Sequence, residues 1–517
     1  MNSSSSQMTS RVGARGQEPA GFSSGRQYVS VLYALVAIVR ATATGSLPAE
    51  YLSTGFPQVV VVSGSDREMG LQYGEQAAAA IAHNVALFKS RLYDKYGAAV
   101  VAKDMQAWNY YLIRYDRAYQ DWLEGIRAGC KRKGFSVSYD DLLMLVVYPA
   151  ELWSRPTGPY PKETGVARLE PALVLPPSRT FHSCNTFAAT GTMTSDGKPV
   201  HGITSMVATE CMDSVILLAF PKRGFSFVSQ AYAGKVNSNF AMNNRGLAWT
   251  MTAIQSDTPA WGVAPEVLFH YLAQFPGSLA EALDYLKSTP KGGCTGGFIL
   301  TDGSGSIAVY EGTGSHFDLR KPGDSREPGQ FVVQANHLVN PSLASLNAPW
   351  LNESRTTNRY ETVWQFLKEA PPRGVDFTFA KRLFASDDWN DAAIAIWHRN
   401  EPGKLEVSNS HESVGQAIFF PADLTAYLQT GVPSGAGLPA YATGEYVKIK
   451  LAPRDLLALT TRSVTCDFNA TGFGIPAASP RWAIPVMILD REVHLLLWTK
   501  SHASWTMLTR RRRVPMR

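Results

Sequence analysis

The rhythm of hydrophobic and polar positions changes once along the chain, near residue 184. Before it, residues 56–62 (F-P-Q-V-V-V-V) form a short continuous apolar run and predict a buried strand. The polar stretch S-G-S-D-R-E-M-G follows, with Ser65 or Asp66 placed to cap a helix. Apolar residues then recur at three- and four-residue spacing from Leu71 to Phe88, through 105–128 and through 139–153, so 65–155 reads as mainly helical. Residues 154–180 hold six prolines and read as an exposed linker.

After residue 184 the texture is that of strands at short intervals: 185–193, 199–206, 214–220, 225–231, 237–243 and 246–254. Asp196-Gly197 and Asn244-Arg245-Gly246 are hairpin turn signals. A helix is predicted over 264–288, a hairpin over 296–311, a helix over 354–369, and further strands near 414–430 and 444–450. No internal repeat is found, and 465–517 shows no convincing pattern. Successive hairpins, then helices, then more hairpins predict an α+β fold of antiparallel sheets covered by helices.

A chain of 517 residues allows two or three domains, or one large domain with appendages. With 45% hydrophobic and 18% charged residues it is globular in composition. The net charge of +6 owes much to Arg510, Arg511, Arg512, Arg513 and Arg517, a local basic tail. No zinc-finger or RNA-binding pattern accompanies it, so no nucleic-acid partner is expected. The five cysteines are Cys130, Cys184, Cys211, Cys294 and Cys466. None pair at C-x-x-C spacing, and the odd, sparse set predicts neither a metal site nor a disulfide scaffold. Near the start, a Ser- and Arg-bearing leader precedes the apolar run 28–39, then Arg40 and A-T-A-T-G-S. This signal-like 28–44 segment favours a secretory route or organelle lumen, with the cytoplasm as the alternative if the true start lies further on. The sequons at Asn352 and Asn469 fit that route. No segment is long and apolar enough for a transmembrane span.

Cys184 stands where the helical half gives way to the β half, in F-H-S-C-N-T-F-A-A-T-G-T. A lone cysteine is most often a buried hydrophobe. Its place between Ser183 and Asn185, after an exposed linker, also suits a nucleophile with a base nearby. One base is His337, at a spacing close to that of papain-like proteases, although those place the cysteine at a helix start rather than a strand start. The other is the α-amino group of Cys184 itself, freed by cutting the Ser183–Cys184 bond, since a chain-terminal amine ordinarily titrates at about 7.7. His182, His201 and His411 are expected to be partly exposed bystanders, and Cys211 and Cys294 buried thiols.

The run C-N-T-F-A-A-T-G-T-M-T-S-D-G-K-P-V-H-G resembles the nucleophile hairpin of the acyl-CoA:6-aminopenicillanic-acid acyltransferase-like family. These are self-processing cysteine N-terminal nucleophile hydrolases related to penicillin V acylase and bile salt hydrolase. Three further stretches are similar in the right order: Gly64, Glu68, Gly70 and Gly74 upstream, V-S-Q-A-Y-A-G-K-V-N-S-N-F-A-M-N-N-R-G-L-A-W, and Q-A-N-H-L followed by S-R-T-T-N-R-Y. The resemblance implies a four-layer αββα core with a helical N-terminal pro-segment. It implies cleavage between Ser183 and Cys184, Cys184 as catalytic nucleophile, and Asn336 as a side-chain oxyanion donor. His337 becomes a neighbour, and Arg359, with Arg355 in poorer register, matches a family arginine in a substrate-binding or structural place. No metal or organic cofactor is implied, and the substrate would be a small amide or acyl compound, acyl-CoA included. The resulting division is a leader at 1–45, a mainly helical segment at 46–183 that becomes the smaller chain, a catalytic domain at 184–460 and an atypical extension at 461–517.

Two positions depart from the pattern. Met206 stands where the family carries the aspartate that holds the amino terminus, with Glu210 or Asp213 as nearby substitutes. Thr250-Met251-Thr252 replaces an N-x-N. Three readings follow: a self-processing amidohydrolase or acyltransferase, a catalytically inactive relative that binds a ligand or partner, and a papain-like Cys/His protease.

Overall fold

Apolar residues on β1 (Gln58–Gly64) alternate between two environments, and that alternation sets the layer order of the fold. Val60 and Val62 join Val215, Leu217 and Ala219 of β4 (Ser214–Pro221) in one core against the helices. Val59 and Ile216 point the other way, into a second core. The computed structural model describes 58–166 except 157, 184–206, 213–254, 259–293, most of 296–348, 356–384, 413–430, 446–451 and three strands between 486 and 510. The signal-like segment, Ser183, Arg355, His182, Glu210, Cys211, Cys294, Cys466, His411 and both sequons lie outside those residues.

The helical half begins where expected. Ser65 caps α1 (Asp66–Gln76): its Oγ accepts from Glu68 N at 3.3 Å, and Glu68 Oε2 accepts from Ser65 N at 2.7 Å. α2 (Ala78–Tyr96), α3 (Ala98–Tyr115), α4 (Arg117–Arg132) and α5 (Tyr139–Ser154) follow. The glycines of the upstream motif have a packing role. Gly70 and Gly74 face Gly125 and Gly129 of α4, and a Cβ on Gly70 would stand 2.2 Å from Trp122 O, one on Gly74 2.3 Å from Ile126 O. Only glycine permits that approach. It seats Tyr73 and Tyr119 under the loop 233–239, where their hydroxyls accept from Gly234 N (3.1 Å) and Val236 N (3.4 Å).

The β half forms two sheets. The first has eight strands in the order β1, β4, β5 (Phe227–Tyr232), β6 (Phe240–Asn243), β7 (Ala248–Ala253), β8 (Gly296–Thr301), β9 (Ile307–Gly312) and β10 (Phe317–Arg320). All its pairings are antiparallel except β1 with β4. The second has six, in the order β11 (Phe331–Gln334), β2 (Asn185–Ala189), β3 (Val200–Met206), β12 (Ser413–Phe420), β13 (Thr425–Thr430) and β14 (Val447–Lys450). Ile203, Ala417, Phe419 and Leu428 meet Val228, Phe240, Met242 and Ala248 between the sheets. On the far side of the second sheet, Phe187, Val333 and Ile418 pack on Tyr360, Val363 and Leu367 of α8 (Thr356–Lys368) and Phe379 and Leu383 of α9 (Phe377–Phe384). Helices, sheet, sheet, helices is the αββα order, in an α+β fold.

Several expectations need correction. The single helix over 264–288 is two, α6 (Pro265–Gln274) and α7 (Leu279–Ser288). Pro276-Gly277 breaks it, and Ser278 Oγ recaps by accepting from Glu281 N. The strand over 185–193 stops at Ala189, where Thr190 N turns to Gln330 O and Gly191 takes φ +63. The strand over 237–243 starts at Phe240. Residues 465–517, patternless in sequence, carry the antiparallel strands β15 (Val486–Leu489), β16 (Glu492–Thr499) and β17 (Ser504–Arg510). β15 and the L-L-L-W stretch of β16 are continuous apolar runs without the alternation that marks a half-buried strand, and in β17 the alternation spans only 504–507. They belong to a second unit, Ala458–Arg517, distinct from Met1–Leu457.

Candidate active site

Cys184 is the residue before β2 and is 4% exposed. β2 pairs with β3 on one side and β11 on the other, so its backbone is fixed in the middle of a sheet. β11 runs on into Ala335-Asn336-His337, which brings Asn336 beside Cys184. The Cys184 N–H donates to Asn336 Oδ1 at 2.9 Å. Arg359, in the first turn of α8, is 3% exposed. Its Nη1 donates to Cys184 O and to Asn185 Oδ1, both at 2.8 Å, and its Nη2 to Asn336 Oδ1 at 2.9 Å.

These contacts fix which way the Asn336 amide faces. Cys184 N and Arg359 Nη2 are both donors, so the atom between them must be the carbonyl oxygen. The amide nitrogen points away and donates to Ala253 O at 2.8 Å. Asn336 N donates to Thr356 Oγ1 at 2.7 Å, and His337 Nδ1 lies 3.0 Å from the same hydroxyl. His337 is 6% exposed and edge-on to Tyr360.

A fourth residue, Asn239, is not singled out by the sequence. Its Nδ2 lies 3.8 Å from Cys184 Sγ and donates to Met251 O at 3.0 Å, while Met251 N donates back to Asn239 O at 2.7 Å. The V-N-S-N-F stretch carries the signal, but asparagines there read as turn residues. The loop ahead of it is held by buried groups. Tyr73 and Tyr119 accept from it, Asn84 Nδ2 donates to Ala233 O at 3.0 Å, and Lys235 lies 3.7 Å from Glu266 with both side chains almost wholly buried. Tyr232 sits in the same surroundings. Burial first, then the charges of Cys184 and Glu266, push its phenol well above its ordinary range.

Behind β2 lies a chain of hydroxyls. Thr250 Oγ1 lies 2.6 Å from Thr186 Oγ1 and 2.8 Å from His201 Nε2. His201, expected to be partly exposed, is fully buried between the sheets, and burial pushes its imidazole down to about 3. It is a neutral structural group. Thr252 Oγ1 donates to Ala335 O at 2.6 Å. Met206 lies on β3 two residues past Thr204, the cross-strand partner of Asn185. Asp213 is held by His83 at 3.0 Å and by Asn84. Among the described residues, no group of His, Cys, Asp and Glu is arranged to hold a metal ion, and no helix is long and apolar enough to cross a membrane.

Residues 194–432 match the family described as acyl-coenzyme A:6-aminopenicillanic acid acyl-transferase. That is the family the sequence resembles. The acyl-transferase match takes in Asn239, Asn336 and Arg359 and begins after Cys184. An uncharacterized protein of Archaeoglobus fulgidus is 25% identical over 341 residues, 58% of this chain, and the chain spans 53% of that relative's length. Among solved structures, the Caenorhabditis elegans N-acylethanolamine-hydrolyzing acid amidase ortholog overlaps 46% of this chain and 93% of its own at 14% identity and TM-score 0.31. Penicillin V acylase from Agrobacterium tumefaciens overlaps 48% and 84% at 16% and 0.33. A mutant of conjugated bile acid hydrolase from Clostridium perfringens overlaps 52% and 92% at 12% and 0.34. TM-scores of 0.31 to 0.34 do not define a shared fold, and the layer order above stands on its own contacts.

Proposed function

We propose that this protein is a self-processing cysteine N-terminal nucleophile enzyme that transfers or hydrolyses the acyl group of a small amide or thioester. The observation that carries this reading is the Cys184 N–H held by Asn336 Oδ1 at 2.9 Å beside a buried thiol. In the precursor, Cys184 Sγ attacks the Ser183 carbonyl, the C–N bond breaks, and the Ser183 acyl group moves to sulfur. Water hydrolyses that thioester, leaving a Ser183 carboxylate and a free Cys184 α-amino group. Such an amine ordinarily titrates at about 7.7, so near neutral pH it takes the thiol proton as general base. Asn336 Oδ1 orients it, standing in for the aspartate that Met206 replaces.

The thiolate attacks the substrate carbonyl, and the amine returns the proton to the leaving group. Water or an acceptor amine then takes the acyl group from sulfur. Both amide nitrogens donate one proton to a backbone carbonyl, Asn336 to Ala253 O and Asn239 to Met251 O, but Asn239 Nδ2 lies 3.8 Å from Cys184 Sγ, and the oxyanion is assigned to it rather than to Asn336. A donor of this kind contributes about 3 kcal/mol to the transition state. Arg359 bridges Cys184 O, Asn185 and Asn336 and is assigned a positioning role. His337 shapes the wall, and a papain-like pair is disfavoured because Cys184 precedes a strand, with no helix N-terminus to stabilise a thiolate. The acyl donors include acyl-CoA, in keeping with the matched family's description.

A panel of N-acyl p-nitroanilides and acyl thioesters, assayed with wild type and Cys184→Ala, tests the chemistry. At least one probe should turn over, with the variant slower by about 10³-fold or more. Equal rates in the two proteins would sink the proposal. A second reading, a ligand-binding relative without turnover, is favoured by Met206 and by Thr252, whose hydroxyl is spent on Ala335 O. It expects no turnover of any probe.

A further inference from the structure

The strand end that carries Asn336 is gripped by charged groups from the opposite sheet. Glu311, on β9, is fully buried and Arg320, at the end of β10, is 4% exposed. Glu311 accepts from Val339 N at 3.1 Å and from Asn340 N at 2.7 Å. The same carboxylate accepts from Arg320 Nε at 3.1 Å and Nη2 at 3.0 Å. Arg320 Nη2 also donates to Val333 O at 3.0 Å and to Gln334 Oε1. Gln334 Nε2 donates to Ala335 O at 3.0 Å and to His337 O at 2.7 Å. Glu327, equally buried, accepts from Arg320 Nη1 and from Val333 N.

Backbone groups at 333, 335, 337, 339 and 340 thus all end in one buried cluster, and Asn336 lies between them in sequence. Three charges in a protein interior are costly, and a strand end can satisfy its carbonyls without them. What the cluster adds is rigidity at one side chain. The hydrogen bonds of Glu311, Arg320 and Gln334 fix the strand end more tightly than water or a mobile loop would, with Glu327 Oε2 the one carboxylate oxygen of the cluster left without a partner among the described residues.

We infer that Glu311, Arg320 and Gln334 are positioning residues for Asn336, holding its side-chain carbonyl against the Cys184 nitrogen. The inference rests on the reading of Cys184 as nucleophile given above. It goes beyond that reading by placing two determinants of the site, Glu311 and Arg320, in the eight-stranded sheet, and a third, Gln334, at the end of β11. Their hydrogen bonds go to one another, to Glu327 and to the backbone on either side of Asn336, and they act through it.

A double-mutant cycle on the full chain tests this, read as the rate of Cys184 alkylation by iodoacetamide across pH, followed by peptide mass spectrometry. Glu311→Gln keeps the side chain's shape but sets an N–H against the Asn340 N–H. It should change the Cys184 rate about five-fold or more in the wild-type background and leave it unchanged in an Asn336→Ala background. An equal change in both backgrounds, or none in either, overturns the inference. If Glu311→Gln does not fold, Gln334→Met removes the grip on Ala335 and His337, and the same two outcomes decide. Failure of the functional reading looks different: the cycle closes as expected, yet wild type cleaves no acyl probe.

Discussion

At the scale of single residues, the site turns on the direction of one amide. Arg359 and the Cys184 nitrogen both donate to Asn336 Oδ1, so Arg359 decides that the carbonyl faces the Cys184 nitrogen. Lysine cannot reproduce a guanidinium fork across three acceptors. Arg359→Lys should therefore slow acyl-probe turnover about a hundred-fold with circular dichroism unchanged. Initial rates within three-fold of wild type would contradict the role given to Arg359. Cys184, Asn336 and Arg359 are legible in the sequence because each sits on a motif with a recognisable neighbour. Asn239 is not, because its partners are a sulfur 55 residues before it and a carbonyl on β7, neither of which spacing reveals. His201 departs from expectation for a related reason. Its burial comes from a sheet that closes over it, and local polarity in V-H-G says nothing of that.

At the scale of elements, the close crossing of α1 and α4 sets the floor of the site. The family-like glycine motif is legible as a motif, but its reason is not. Gly70 and Gly74 need Gly125 and Gly129, more than fifty residues away, for the pairing to mean anything. Gly74→Ala would push a methyl into Ile126 O and should cost about 2–3 kcal/mol, measured as a lower denaturant midpoint. Gly158→Ala, where an added Cβ meets nothing within 4 Å, is the control and should be neutral. A Gly74→Ala midpoint equal to the control's would remove the packing explanation. Helix and strand types follow well from periodicity. Their ends follow less well: the turn after Ala189 acts through a tertiary partner, Gln330, and Pro276-Gly277 is a local break that helical periodicity runs across. β15 and β16 escape because continuous apolar runs do not distinguish strand from buried helix, and β17 because its alternation is short.

At the scale of the whole molecule, the αββα order explains how one chain could become two and keep its site. The helices of 66–154 bury Tyr73, Trp122 and Leu145 in the same core as Val215, Leu217 and Trp249 of the eight-stranded sheet. They also hold the loop that leads to Asn239. A smaller chain ending at Ser183 would therefore stay docked through its apolar faces, and the site would outlive the cut. The layer order is legible through the resemblance. The mutual fixing of Cys184, Asn336 and Arg359 is not, since it needs β11 placed beside β2. The measurement that tests self-processing most directly is the intact mass of the purified protein under denaturing conditions, beside a Cys184→Ala variant. Self-processing predicts two chains for wild type, the larger beginning at Cys184, and one uncut chain for the variant. A single uncut chain in both, or a cut that survives the substitution, would contradict it.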